Sequence, residues 1–191
     1  MAENAESEIV NLYQPKKRFI IPIDNFHVPK KLFKLFKRNT YTFKINNNFE
    51  NVIAKCQLAN RKDNGTWINS IILDSYLNLH FEKMAHSIEC YDQNKLIGGL
   101  YGVHIGGCFF GESMFSLKND GSKLALVSII NRLKSCGHKL FDTQFFTPHL
   151  GSMGGIEISK IKYEKILKAN ITKNIEFQLT DNEKEFLFAP K

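Results

Sequence analysis

Apolar side chains recur along this chain at two periods, and the switches between them mark the elements. After a polar lead-in over 1–17, Phe19, Ile20 and Ile21 sit in a short strand over 18–23. Pro29 suits the first turn of a helix over 30–38. Leu32, Phe33 and Phe36 form its apolar stripe, and Lys30, Lys34 and Lys37 recur on another face. Residues 41–45 alternate as a strand. Asn48 suits the N-cap of a helix over 49–59. Asn64-Gly65 marks a turn, and a second apolar-periodic helix covers 70–81. Strands over 85–91, 95–103 and 108–115 make an antiparallel meander, turned by Asp92-Gln93-Asn94 and by residues 104–107. Asn119 or Asp120 caps a helix over 122–135, whose Leu126, Ile129, Ile130 and Leu133 face inward and which Gly137 ends. A strand over 139–146, a helical turn over 148–153 and an amphipathic helix over 159–169 follow. The last twenty residues read as a strand and tail.

Helices, then a meander, then helix–strand–helix point to an α+β domain. A central, mostly antiparallel sheet flanked by helices, with a helix after the fourth strand, resembles the GCN5-type acyltransferase fold. The 191 residues suffice for about one domain. No stretch of about 18 apolar residues offers a membrane span. The four cysteines form no C-x-x-C and have no histidine pair at metal-ligand spacing, so no metal is expected. The acidic, polar N-terminus is not a signal peptide. With free thiols, this points to the cytoplasm. The net charge of +7 is uneven. Residues 16–44 hold nine Lys or Arg and one Asp, which implies a localised polyanion-binding surface.

Three places could carry chemistry. Gly98, Gly99, Gly102, Gly106 and Gly107 lack the G-K-[ST] of a phosphate loop. Glycines inside strands instead mark bulges or close approach. Glu112 lies in an aromatic-rich strand, where alternation puts Phe110, Glu112 and Met114 on one face. An acid there is either paired at a strand end or functional. Asp142 and Gln144, two apart in an otherwise apolar strand, point to one face and suit general-base and hydrogen-bonding work, unless that face is solvated. His80, His86 and His149 each stand alone and read as structural. Trp67 is a core anchor or a base-stacking platform.

These stretches resemble the bacterial leucyl/phenylalanyl-tRNA–protein transferase family over about 18–169. The resemblance is carried by GTWI at 65–68, AHSIE at 85–89, LIGGLYGVHI at 96–105, GESMFS at 111–116, SKLAL at 122–126, DTQ at 142–144 and HL at 149–150. It implies an aminoacyltransferase that moves Leu, Phe and sometimes Met from aminoacyl-tRNA to an N-terminal Lys or Arg of acceptor proteins, marking them for degradation. It implies no cofactor, no membrane association and a monomer.

The resemblance also implies roles. Lys30, Lys31, Lys34, Lys37 and Arg38 match a tRNA-binding helix. Trp67 and Ser113 match positions against the terminal adenosine. Leu100, Phe109, Met114, Leu126, Ile129, Leu133 and Phe141 match the wall of an apolar pocket for the aminoacyl side chain, shaped against β-branched Ile and Val. Asp142, Gln144 and Glu112 are the candidate catalytic residues: Asp142 acting through Gln144 on the attacking amine, Glu112 holding the aminoacyl-adenosine end. A relay through the ribose 2′-hydroxyl suits the same residues. The family's aromatic-rich G-I-F-P-M-like stretch has no counterpart here, so Met1 is expected to be an internal methionine. Residues 1–45 are then a short, truncated N-terminal region with the basic helix, and 46–191 an acyltransferase-like catalytic domain. The alternatives are an inactive tRNA-binding homologue and an acyl-CoA-dependent N-acetyltransferase. The second needs a pyrophosphate turn that Asn119–Lys123 does not offer.

Overall fold

The computed structural model describes residues 1–38, 40–59 and 65–177. Asn64 of the expected turn and the tail beyond Phe177 lie outside these. The described residues form a mixed α/β fold around one seven-stranded sheet. Its strands are β1 (Lys17–Ile21), β2 (Tyr41–Ile45), β3 (Ala85–Asp92), β4 (Lys95–Ile105), β5 (Cys108–Ser116), β6 (Leu140–Asp142) and β7 (Ile156–Ser159). The order is β2-β3-β4-β5-β6-β1-β7. Only β5 and β6 are parallel. The sheet takes strands from both sides of residue 45, since β1 and β2 join the strands that follow.

The helices are α1 (Lys30–Phe36), α2 (Phe49–Leu58), α3 (Ser70–Phe81), α4 (Gly121–Ser135), α5 (Pro148–Ser152) and α6 (Lys160–Asn170). Alternation along the strands sorts them into layers. On one face, α4 and α1 bury Leu126, Ile129, Leu133 and Leu32 against Phe19, Ile21, Leu100, Phe109 and Phe141. On the other, α2 and α3 pack Val52, Ile53 and Ile72 against Tyr101 and Phe115. On that second face α6 packs Tyr163 against Ile20, Cys108 and Leu140.

Local chemistry accounts for most boundaries. The Asn48 side chain accepts from the Asn51 amide, and that of Asn69 from Ile72, so both cap as N-cap residues do. The α4 start departs from expectation. Asp120 occupies the N-cap at φ +66° without a side-chain cap bond, and its carboxylate pairs with Lys123. The capping oxygen comes instead from β5, where Ser116 Oγ accepts from the Ser122 amide at 2.8 Å. This docking needs bare backbone. A Cβ on Gly98 would lie 2.3 Å from the Gly121 carbonyl carbon, so two glycines let α4 sit directly on β4.

Two strand expectations are corrected. The strand expected over 139–146 ends at Asp142, because the chain turns at Gln144 with φ +58°. The strand β7, which pairs with β1, was not anticipated. The alternation expected in β5 also breaks. Tyr101 pairs with Ser113 but Gly102 with Gly111, so Glu112 is the extra residue of a bulge. The bulge reverses parity, and Phe109 and Met114 reach the same α4-facing cluster.

Candidate active site

The site lies where the sheet opens. β5 and β6 pair only through Cys108–Leu140, Phe109–Phe141 and Phe110–Asp142. Beyond them Thr143 and Gln144 stay with β1, bonding Phe19 at 2.9 and 3.0 Å, while β5 stays with β4. A cavity of about 1520 Å³ occupies the opening, lined by residues of both helical layers.

Asp142 is fully buried and not part of the cavity wall. Its Oδ1 accepts from the Gln144 amide at 2.9 Å. Its Oδ2 accepts from the Arg18 guanidinium and, at 2.8 Å, from the Tyr163 hydroxyl. The guanidinium also stacks over the Tyr163 ring, 4.7 Å from its centroid. Burial works against the Arg18 charge, but the hydrogen bond and charge of Asp142 raise its pKa overall. Burial, with Asp142 beside it, also raises the Tyr163 pKa. Asp142 therefore joins β1, β6 and α6 and holds Gln144 in its left-handed conformation. The expectation that Asp142 and Gln144 share a strand face is overturned, because Gln144 lies past the strand end.

Gln144 reaches the cavity wall. In the amide orientation that satisfies its neighbours, Nε2 donates to the Gly111 carbonyl at 3.0 Å and to the Thr143 carbonyl at 3.1 Å. The side chain thus spans the gap between β5 and β6. Gly111 has to stay bare here, since a Cβ would lie 2.6 Å from the Phe141 ring.

Glu112 is half-buried and, among the described residues, is the one carboxylate that lines the cavity. Burial raises its pKa, and a hydrogen bond from the Tyr76 hydroxyl opposes that rise. Burial, with Glu112 beside it, raises the Tyr76 pKa in turn. The Tyr76 ring packs edge-on to Tyr101 at 5.1 Å. The bulge therefore delivers an acid to an apolar wall, and α3 supplies its partner.

The remaining candidates divide. Leu100, Met114 and Phe141 line the cavity, as do Trp67 and Ser113. Phe109, Leu126, Ile129 and Leu133 are fully buried behind this wall. Lys30, Lys31, Lys34, Lys37 and Arg38 are all exposed on α1 and its C-terminal end. Among the described residues, no group of three or more His, Cys, Asp or Glu is placed to hold a metal ion, and no helix is long and apolar enough to cross a membrane.

A sequence model of the leucyl/phenylalanyl-tRNA protein transferase family matches residues 20–168. The chain belongs to that family. The leucyl/phenylalanyl-tRNA–protein transferase of Dinoroseobacter shibae is 45% identical over 172 residues, covering 90% of this chain and 75% of the relative. That of Maricaulis maris is 43% identical over 183 residues, covering 96% and 85%. The stretch matched by the leucyl/phenylalanyl-tRNA protein transferase family contains Trp67, Tyr76, Glu112, Asp142, Gln144 and Tyr163.

Sequence reasoning missed Arg18, Tyr76 and Tyr163. Arg18 counts there only toward a basic run. Tyr76 and Tyr163 occupy apolar-stripe positions of helices, where a tyrosine hydroxyl is hidden inside a hydrophobic pattern.

Proposed function

We propose that this chain transfers Leu, Phe and Met from aminoacyl-tRNA to the N-terminal Lys or Arg of acceptor proteins, marking them for degradation. The observation that carries this reading is the meeting of Gln144 and Glu112 at one apolar-walled cavity, in a chain of this transferase family. The opening of the parallel β5/β6 pair supports an acyltransferase-like domain of the GCN5 type. Residues 1–45 carry the docking helix α1 and contribute Arg18 to the catalytic unit over 46–191.

The reaction is ester aminolysis. The α-amine nitrogen bonds to the aminoacyl carbonyl carbon, the bond to the ribose 3′-oxygen breaks, and the amine's proton leaves with that oxygen. Positioning therefore supplies most of the acceleration. The Gln144 Nε2 is engaged by two carbonyls, which leaves Oε1 to accept from the attacking amine and aim its lone pair. Asp142 acts on the amine only through Gln144, because its own oxygens hold Arg18, Tyr163 and the Gln144 amide. An amide oxygen is too weak a base to keep the proton, so the ribose 2′-hydroxyl passes it to the 3′-oxygen. Glu112 holds the aminoacyl-adenosine end beside Trp67 and Ser113, and its charge favours a cationic acceptor terminus.

Leu100, Met114 and Phe141 form the visible wall of the aminoacyl pocket, with Phe109, Leu126, Ile129 and Leu133 fixing its shape from behind. Shape of this kind discriminates by about 1–3 kcal/mol per methylene. Lys30, Lys31, Lys34, Lys37 and Arg38 neutralise RNA phosphates without reading sequence. The test is transfer of labelled Leu, Phe, Met or Ile from charged tRNA to proteins beginning with Lys, Arg or Ala. The reading expects Leu, Phe and Met on Lys and Arg termini alone. Equal transfer of Ile, or transfer to Ala, contradicts it.

A further inference from the structure

The basic stretch 16–44 is continuous in sequence, but the fold divides it. The helix α1 lies on the α4 face, with Leu32 in that core cluster. Lys17 lies elsewhere. It is the cross-strand partner of Ser159, whose side chain caps α6. On the opposite face of the sheet from α1, α6 buries Tyr163, Ile166 and Leu167.

The outward side of α6 is itself basic. Residues 160–173 hold five lysines and one glutamate, and all five lysines are exposed. Outside 16–44 and 160–173 the chain is net negative, with 12 Lys or Arg against 17 Asp or Glu. Lys162, Lys165 and Lys168 recur every three residues on the side away from Tyr163. Among the described residues they make no ion pair, whereas Lys160 approaches Glu164 at 3.8 Å. The helix's own electrostatics do not account for this pattern. Lys160 and Lys162 stand in a first turn without an acid, where the helix dipole disfavours positive charge.

We propose that the Lys162–Lys165–Lys168 face of α6 is a second phosphate-contacting surface for aminoacyl-tRNA, on the opposite side of the sheet from α1. The inference rests on the proposed function, which makes that RNA the donor. Its position favours RNA over an acidic protein. The inward face of α6 touches Asp142 through Tyr163 at 2.8 Å, so its outer face lies about one helix diameter (~10–12 Å) beyond Asp142, the residue that holds Gln144 at the cavity wall. An RNA whose 3′ ester enters the cavity carries a phosphate on every nucleotide leading away from it, and the proposal places some of these against this face. Lysines there act as mobile point charges and grip backbone without reading bases.

The test is charge reversal of Lys162, Lys165 and Lys168 together to Glu, beside neutral replacement to Gln and a control reversal of Lys30, Lys34 and Lys37. Aminoacyl-tRNA binding is measured across a salt series, and single-turnover transfer at saturating RNA. The expected result for the Glu variant is a Kd at least about tenfold higher at low salt. The Gln variant flattens the slope of log K against log salt by about two to three, as the loss of three phosphate contacts requires. Transfer at saturation is unchanged. An unchanged Kd and slope, with the α1 control still weakened, overturns the inference and leaves the function standing. So does intact RNA binding with transfer lost to a protein acceptor but kept to a short peptide, which assigns this face to acceptor docking. A wild-type chain that binds no aminoacyl-tRNA removes both readings together.

Discussion

The Tyr163 hydroxyl donates to Asp142 Oδ2 at 2.8 Å and so ties α6 to the end of β6, beside Arg18 from β1. A buried carboxylate with two donors on one oxygen is a structural hub. Removing its charge leaves Arg18 uncompensated. Asp142→Asn is expected to cost about 3–5 kcal/mol of stability. Tyr163→Phe keeps the ion pair and is expected to cost about 1.5–3 kcal/mol. Urea unfolding of both variants checks the order, and equal or reversed losses contradict the arrangement.

The left-handed Gln144 and the bulged Glu112 make different predictions for the acceptor. Glu112→Gln is expected to raise KM for an acceptor with a cationic N-terminal residue by about tenfold, with a smaller effect on a neutral one. Because burial raises the Glu112 pKa, its charge is lost at higher pH than an exposed glutamate's. Preference for cationic acceptors therefore weakens as pH falls in the wild type and is flat in the Gln variant. Acceptor competition at several pH values measures this.

Buried histidines set the acid limit of the fold. Burial, with His104 nearby, lowers His86 and His138 to about 4, and the Phe177 ring stacks on His86 at 4.4 Å. Unfolded histidines take up protons below about pH 6.5, while these resist until about 4. Unfolding then binds protons in that window. The contribution of these histidines is flat above about pH 7 and falls toward pH 4, by up to about 1.4 kcal/mol per pH unit for each. Chemical denaturation at pH 7.5, 6 and 5 tests the sign, and stability rising on acidification contradicts it.

The contact of α4 with β4 depends on absent side chains. Gly98→Ala places a methyl 2.3 Å from the Gly121 carbonyl carbon, where only backbone movement relieves the clash. A loss of about 1–3 kcal/mol or more is expected. Gly65→Ala meets open space but sits at φ +67°, so backbone strain alone sets its smaller cost. Thermal denaturation of the pair separates the two effects.

Periodicity made the elements legible wherever local chemistry decides them. Asn48 and Asn69 cap their helices as such residues do, and the meander over β3 to β5 follows its turns. What escaped depends on contacts distant in sequence. Ser116 caps α4 from β5, and the left-handed turn at Gln144 that ends β6 follows Asp142, whose carboxylate is held by Arg18 and Tyr163. The bulge at Glu112 is written in the pairing of two strands, so alternation within one strand misassigned its neighbours. Glu112, Asp142 and Gln144 stood out as polar groups in apolar surroundings. Their partners Arg18, Tyr76 and Tyr163 did not, since an arginine in a basic run and tyrosines in apolar stripes break no pattern.

The central claim is that Asp142 works by holding Gln144, whose amide oxygen aims the attacking amine. Its most direct test is the single-turnover rate of Leu transfer by Gln144→Ala at saturating aminoacyl-tRNA, with RNA affinity measured alongside. The account predicts a loss of at least about 100-fold with RNA affinity unchanged. A rate within a few fold of wild type contradicts it and leaves the reaction to the substrate's own 2′-hydroxyl.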